Sequence, residues 1–446
     1  MEHGISGGSG GSVVAGRERA IALVVERPWA SRTDSFAFAR SLLLVLLLVV
    51  VDVIDAFGRA AALQTGASLR YLLLGLPIAT ALVLFTSSRS PLIRRPATTD
   101  LLLLTLAACG LLGSMYGRLF LNTDTSAFPI FLPMLIGLPY LATTQPITRE
   151  EAGRLLRSLS NIGLLYVLLH ALASAGTFAS WTFESFGHWK AFFIAMAIAA
   201  AMERRRALRT LGLSVLAVYI YAMYPAGTYV FVLVVTAVTL FVTRPQAPPA
   251  RAYVVGLAAA AVVTVGLLNM SGTISLAQSY FRDVGKTSNV DTRLELWTQG
   301  IEQIRTSPLV GHAFTGEMTV PISQEGLPAR LALHQDYLNL ALGGGVVAVG
   351  LFAVWAVLTN LWTMRRIRRA RMLGNTSQAS LLRVLLVGFN AWLVVAAFNS
   401  LLESVGTSAA LFAMYGLMMT VGLTHARTGD PSPDGAAPLS SWGAAG

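Results

Sequence analysis

Three cations close together, Arg282, Lys286 and Arg293, and a histidine further on, His334, are the side chains of this chain best suited to chemistry. Guanidinium and ammonium groups in one cluster can hold an anion, the guanidinium through paired hydrogen bonds. An imidazole near its unperturbed pKa can take a proton from a hydroxyl at neutral pH. Carboxylates are the remaining candidates. Asp52 and Asp55 stand three residues apart, roughly on one face of a helix, and Glu403 lies at the outer end of a later apolar run, where it could meet Arg293 or an acceptor group. Each group also has a plainer reading: a solvated basic face, a packed histidine, carboxylates that reach a polar interface. No Asp-x-Asp step and no His/Cys cluster accompanies them, so neither a metal nor another cofactor is expected, and the single cysteine, Cys109, excludes an intramolecular disulfide.

These groups need elements to place them. Thr292 and Glu295 form a capping-box pair, which starts a predicted helix at Thr292 and carries it to Arg305, with Leu294, Trp297, Ile301 and Ile304 as one apolar stripe. Arg293 then falls in the first turn. A cation there opposes the helix dipole, so it is either solvated or set to meet an anion that the helix N-terminus also attracts. Thr306-Ser-Pro308 ends the helix, and Leu309-Val-Gly311-His312-Ala-Phe314 and a polar stretch to Arg330 follow. His334, Tyr337 and Leu338 share a helical face, which puts His334 at a membrane edge just before an apolar run that begins at Gly343-Gly344-Gly345.

The membrane enters through composition. The chain has 446 residues, 54% of them apolar and 12% charged, with a mean hydropathy of +0.63. A soluble protein would expose too much apolar surface at these values; lipid accepts it. The net charge of +11 comes from basic residues scattered through short turns, a pattern that orients a membrane protein and does not suit nucleic acid. About twelve spans are predicted: Phe36 to Phe57, Arg70 to Thr86, Asp100 to Tyr116, Phe128 to Thr144, Ile162 to Phe178, Ala191 to Met202, Leu211 to Tyr224, Thr228 to Val242, Tyr253 to Met270, Gly344 to Trp362, Leu385 to Leu402 and Ala409 to Thr424.

Arginine-rich turns alternate with poor ones along this series. One side carries Arg89, Arg94, Arg95, then Arg149, Arg154, Arg157, then Arg204 to Arg206 and Arg209, then Arg244 and Arg251, and then Arg365 to Arg371 and Arg383. The opposite short turns have only Arg59, Arg118 and Lys190. The basic side is assigned to the cytoplasm, together with both tails, residues 1–35 and 425–446, which are read as disordered. The transmembrane domain is then 36–424, and residues 271–333 form one large outer loop before the tenth span, far longer than a usual connection. Asp52, Asp55 and Glu403 fall near outer span ends. His170 is expected to be a packed histidine, and Trp181, Phe183, Phe186 and Trp189 an aromatic belt.

Arg293 with Leu296-Trp297, then Ser307-Pro308-Leu309-Val310-Gly311, then His334-Gln335 and Gly345, resembles the O-antigen ligase and polysaccharide polymerase family, best from about Asp291 to Gly350. The resemblance implies an all-α polytopic protein of the membrane-embedded, lipid-carrier glycosyltransferase class, similar to the GT-C architecture, in a bacterial inner membrane. Its donor would be a glycan on undecaprenyl diphosphate, and its acceptor the hydroxyl of lipid A-core or of another polysaccharide repeat. Arg282, Lys286 and Arg293 would neutralise the diphosphate without metal, His334 would serve the acceptor, and Glu403, Asp52 and Asp55 are possible supporting groups. Three positions depart from the pattern. Pro225-Ala226-Gly227 stands where many members carry Ser-Arg-Gly, Ala313 where a second glycine often follows Gly311, and Ala348 where another small residue is common.

Two other classes remain as alternatives: a secondary transporter of about twelve spans, which should show midplane ionisable groups, broken helices or a repeat, and a non-catalytic part of a polysaccharide export complex. The alternation of arginine-rich turns generates a direct test of topology. With Cys109 replaced, cysteines introduced between Ser271 and Arg330 should react with an impermeant maleimide applied from outside the inner membrane, and cysteines beside Arg368 should not. The reverse pattern would invert the orientation and remove the basis of the enzyme reading.

Overall fold

The computed structural model describes residues 97–123, 147–174, 191–223, 227–243, 287–316, 319–324, 327–333, 335–397, 401–402 and 405–421. Its elements in chain order are α1 (Thr98–Phe120), α2 (Arg149–Ser174), α3 (Ala191–Glu203), α4 (Ala207–Met223), α5 (Gly227–Val242), α6 (Thr287–Thr306), β1 (Thr319–Gln324), β2 (Leu327–Ala332), α7 (Asp336–Met372), α8 (Thr376–Ala396) and α9 (Val405–Thr420). The described chain is mostly helical, and α1, α7 and α8 are long and apolar enough to cross a membrane. Eight predicted spans have a helix here. The expected spans Phe36 to Phe57, Arg70 to Thr86, Phe128 to Thr144 and Tyr253 to Met270 lie outside the described residues, as do both tails and the aromatic-belt residues.

Helices α2 and α8 begin at Arg149 and Thr376, well ahead of the predicted Ile162 and Leu385, and three further departures bear on the candidate site. The predicted tenth span begins at Gly344, whereas α7 begins at Asp336 and runs through the glycines with a kink at Gly345. The helix α6 begins at Thr287, five residues before the expected cap at Thr292, because no glycine or proline interrupts Thr287 to Asp291. That places Arg293 in the second turn rather than the first. Its backbone N–H is inside the helix, and the expected anion-attracting helix end does not coincide with it. Finally, the polar stretch after Phe314 holds a short antiparallel hairpin, pairing Thr319 with Ala332 and Gln324 with Leu327, where no strand was expected.

α8 is the hub of the bundle, packing against α2, α3, α5, α7 and α9. Lipid gives helices no hydrophobic reason to associate, so close packing of small and complementary side chains must hold them. α3 meets that need with an alanine-rich sequence whose residues from Ala191 to Ala201 are all buried, as expected of a helix apolar on every side. Gly163 of α2 faces Ala197 of α3 so closely that a Cβ there would lie 2.5 Å from the Ala197 Cβ. Between α7, α8 and α9, Trp355 stacks with Phe352, Phe389 and Tyr415 at centroid distances of 5.2, 5.3 and 5.3 Å. The Tyr415 hydroxyl in turn donates to Asp100 Oδ1 at 2.5 Å, tying α9 to the start of α1. Outward-facing side chains such as Leu112, Leu119, Leu211 and Val357 are apolar and exposed, as a lipid-facing surface requires.

Helix ends sort into two sets. Residues at the starts of α2 and α8 and at the ends of α3 and α7 surround one polar cavity, so the described arginine-rich turns share one end of the bundle. There several arginines satisfy helix C-terminal carbonyls that would otherwise lack a partner. Arg366 donates to the carbonyls of Met418 (2.8 Å) and Met419 (2.5 Å) at the end of α9, and its guanidinium lies 4.2 Å above the Trp362 ring. Arg371 donates to the Thr243 carbonyl just beyond α5 at 2.6 Å. Arg383 donates to the Leu240 carbonyl (2.9 Å) and Thr243 Oγ1 (2.9 Å) and pairs with Glu203, whose other carboxylate oxygen accepts from Ser380 Oγ at 2.5 Å.

The pair Arg383–Glu203 is 12% and 11% exposed, so removing one member strands a charge. Arg383→Met should destabilise the protein by roughly 3 kcal/mol or more. Adding Glu203→Leu should recover part of that loss, measured as thermal unfolding in detergent. A double variant no more stable than Arg383→Met would show that the two groups do not depend on each other.

Candidate functional site

Opposite the arginine-rich end, residues 307–316 run as a strap between α1 and the kink of α7. In an unbroken helix the Leu342 and Gly343 carbonyls would accept from the Val346 and Val347 N–H groups. Gly345, at φ 64° and ψ −164°, breaks both bonds. The strap replaces them from both sides: His312 N–H donates to Leu342 O at 3.0 Å and Phe314 N–H to Gly343 O at 2.8 Å, while Val346 N–H reaches Pro308 O at 2.8 Å and Val347 N–H reaches Leu309 O at 3.3 Å. Two helical bonds become four bonds between segments. Backbone polar groups left open in an apolar setting are costly, so the kink and the strap each require the other.

The backbone of Gly345 lies in a region open almost solely to glycine, and a Cβ there would stand 2.2 Å from the Leu309 carbonyl oxygen. Gly344 leaves room for the Phe314 ring, which is buried. Across the strap, Gly113 and Gly117 of α1 present their bare backbone to the carbonyls of Ala313 and Thr315; a Cβ on either would overlap them. Thr123 Oγ1 donates to the same Thr315 carbonyl, and Ser114 Oγ to that of Phe314 at 3.4 Å. The strap therefore lies between two glycine-lined faces.

α6 leads into the strap and is fixed from another direction. Leu296 is fully buried, Trp297 donates from Nε1 to the Leu333 carbonyl at 3.0 Å, and Gly300 makes space for the Leu333 side chain. The buried face is Leu296, Trp297 and Gly300, with Ile304 packed at its edge; Ile301, assigned to the stripe by spacing, is 42% exposed. The reason is the glycine, which draws Leu333 onto its own side of the helix. Gln335 then caps α7, its side chain accepting from the Leu338 N–H at 3.1 Å. The buried Asp336 carboxylate accepts from the Leu401 N–H at 2.9 Å and the Leu402 N–H at 3.1 Å, joining the start of α7 to the connection between α8 and α9. The Tyr337 hydroxyl donates to Leu393 O at 2.7 Å.

Of the residues singled out from sequence, Arg293 lies on α6, with its side chain outside what is described. His334 falls between Leu333 and Gln335, and it lies outside the described residues, as do Arg282, Lys286, Glu403, Asp52, Asp55 and residues 225–226. The structure does bring together Trp297 and the residue before His334, and Ser307 to Gly311 with Gly345. Sequence reasoning missed Asp336, although an acid at the mouth of an apolar run was a signal. It also gave no backbone reason for a glycine at Ala313. Ala313 adopts φ 50°, and its neighbour Phe314 φ 58°, the left-handed region in which a side chain costs about 1 kcal/mol. A glycine would sit there without strain.

No family model matches this sequence, and comparison with curated proteins returns no match.

The kink gives a paired prediction. Gly345→Ala should lose at least about 2 kcal/mol and expose residues 307–316 to protease in detergent solution. Gly350→Ala, where nothing lies within 4 Å of the added Cβ, should be neutral or slightly stabilising. Equal stability of the two variants would mean that the strap does not depend on the break in α7.

Proposed function

We propose that this protein is a membrane-embedded glycosyltransferase of the O-antigen ligase and polysaccharide polymerase type, with a GT-C-like helical architecture, working at the outer face of a bacterial inner membrane. The donor is a glycan on undecaprenyl diphosphate and the acceptor a hydroxyl of lipid A-core or of another polysaccharide repeat. The acceptor oxygen attacks the anomeric carbon as the bond from that carbon to the diphosphate oxygen breaks. Undecaprenyl diphosphate leaves with the bonding electron pair, the anomeric configuration inverts, and the hydroxyl proton passes to a base.

The observation that carries this reading is the hydrogen bond from Trp297 to Leu333. It ties α6, one turn after Arg293, to the residue that precedes His334, so the two segments with the chemical groups are held to one another although about forty residues separate them. In this reading Arg293, aided by Arg282 and Lys286, neutralises the leaving diphosphate, the planar guanidinium binding it through two hydrogen bonds. His334 orients the acceptor hydroxyl and takes its proton. Glu403, Asp52 and Asp55 are supporting candidates on the same face. The carrier alternative would look to the broken helix α7 for an ion site. Its displaced groups at 342, 343, 346 and 347 already bond to the strap, which favours the transferase.

The test is transfer by purified protein from a lipid-linked donor with no metal or nucleotide added. Arg293→Lys keeps the charge and loses the fork, so donor use should weaken strongly; His334→Ala should leave donor binding near normal and slow turnover roughly a hundredfold. Both must accumulate in the membrane like the parent. Full turnover by His334→Ala makes the histidine structural, and unchanged surface glycans after gene deletion overturn the transferase reading as a whole.

A further inference from the structure

The cavity at the arginine-rich end has a volume of about 640 Å³ and is lined by Arg157 of α2, Glu203, Arg204 and Arg205 at the α3–α4 turn, Arg371 of α7, and Ser377, Ser380 and Arg383 of α8. Five guanidinium groups thus face one carboxylate. That carboxylate is engaged by Arg383 and Ser380, and Arg371 and Arg383 are fixed on helix-end carbonyls. Among the described residues no carboxylate forms an ion pair with Arg157, Arg204 or Arg205. Like charges held together repel. Burial, followed by Arg206, Arg209 and Arg157, pulls the Arg204 pKa below its usual value.

Arg205 adds a second observation. It closes α3 at φ 52°, with its own N–H bonded to Met202 O (2.9 Å) and the next N–H, of Arg206, reaching back to Ala201 O (3.1 Å). This is the turn in which glycine normally occupies the left-handed position. A long cationic side chain sits where the backbone favours none, on the rim of a cavity that four other arginines also line.

We propose that this cavity binds a phosphate-bearing anion with more than one negative charge, at the end of the bundle opposite the strap. Guanidinium forks match phosphate oxygens, and basic pockets between membrane helices suit phospholipid headgroups as well as soluble phosphates. The Ser377 hydroxyl, which also lines the cavity, can donate a further hydrogen bond to such a group. The site stands on the cavity alone and does not depend on the transferase reading.

The experiment follows thermal unfolding of the full-length protein in detergent while cardiolipin, phosphatidylcholine or inorganic pyrophosphate is added. Cardiolipin or pyrophosphate should raise the unfolding temperature by several degrees and phosphatidylcholine should not. A response to cardiolipin alone identifies the ligand as a lipid headgroup, and a response to pyrophosphate identifies a soluble phosphate. Arg205→Gly relieves the strained backbone while removing a charge, so it should leave the unliganded protein as stable as the parent, or more so, and weaken binding at least tenfold. Arg157→Gln, an exposed change that leaves the helix ends intact, should weaken binding several-fold and guards against a fold effect at the turn. No shift with either anion, or the same affinity in both variants, overturns the proposal.

Discussion

Backbone groups that a helix gives up inside an apolar environment have to be taken up by something else, and at Gly345 that demand organises the end of the molecule opposite the arginine-rich turns. Once α7 breaks, the Leu342 and Gly343 carbonyls and the Val346 and Val347 N–H groups are among those left open. The strap supplies a donor for each carbonyl and an acceptor for each N–H. Everything around that exchange follows from it: glycines on α1 and α7 where chain must touch chain, Phe314 laid over Gly344, and α6 delivered to the strap at Ser307. A side chain at 345 would interrupt the scheme at its source.

At the other end the same physics has a different solution. Helices α5 and α9 end where their last carbonyls need donors, and long arginine side chains from α7 and α8 supply them. Basic residues that read as topological markers in the sequence are thus also helix caps, and their charge favours the negative end of each helix dipole. The two roles are compatible because both require arginine just beyond the apolar run. Placing so many on one side leaves a surplus around the cavity that the few carboxylates present do not cancel.

Composition and turn charge made the helical, apolar character of the chain legible, along with helices such as α3 and α5, whose bounds agree with the predicted spans to within a residue. Periodicity failed at α6 for a local reason: Gly300 carries no side chain, so a hydropathy pattern gives it no weight, yet it decides which face Leu333 covers. The start of α7 was misplaced because Gly343-Gly344-Gly345 reads as a boundary when local propensity is all that is known. Its broken bonds are completed by a segment some thirty residues earlier, and no local rule contains that. The hairpin was missed because its strands are short and each contains a proline, Pro321 and Pro328, which argues against a strand and masks the brief alternation of Val320 with Ile322 and of Leu327 with Ala329 and Leu331. As for the candidate site, the side chains chosen from sequence lie outside what the structure describes. The structure contributes contacts of their chain neighbours, Trp297 to Leu333 and Asp336 to the α8–α9 connection.

The interleaving of the strap also fixes an order of events during biosynthesis. The ribosome completes α1 before the strap and the strap before α7, so when residues 307–316 are made only one of their two walls exists. The strap cannot be clamped until α7 has inserted and bent, and Asp336 cannot be anchored until the chain reaches Leu401 and Leu402. A nascent protein therefore carries the strap undocked until α7 arrives and the start of α7 unanchored until the chain beyond α8 is made, so a chain arrested before α8 would hold its helices in the bilayer with that anchor missing.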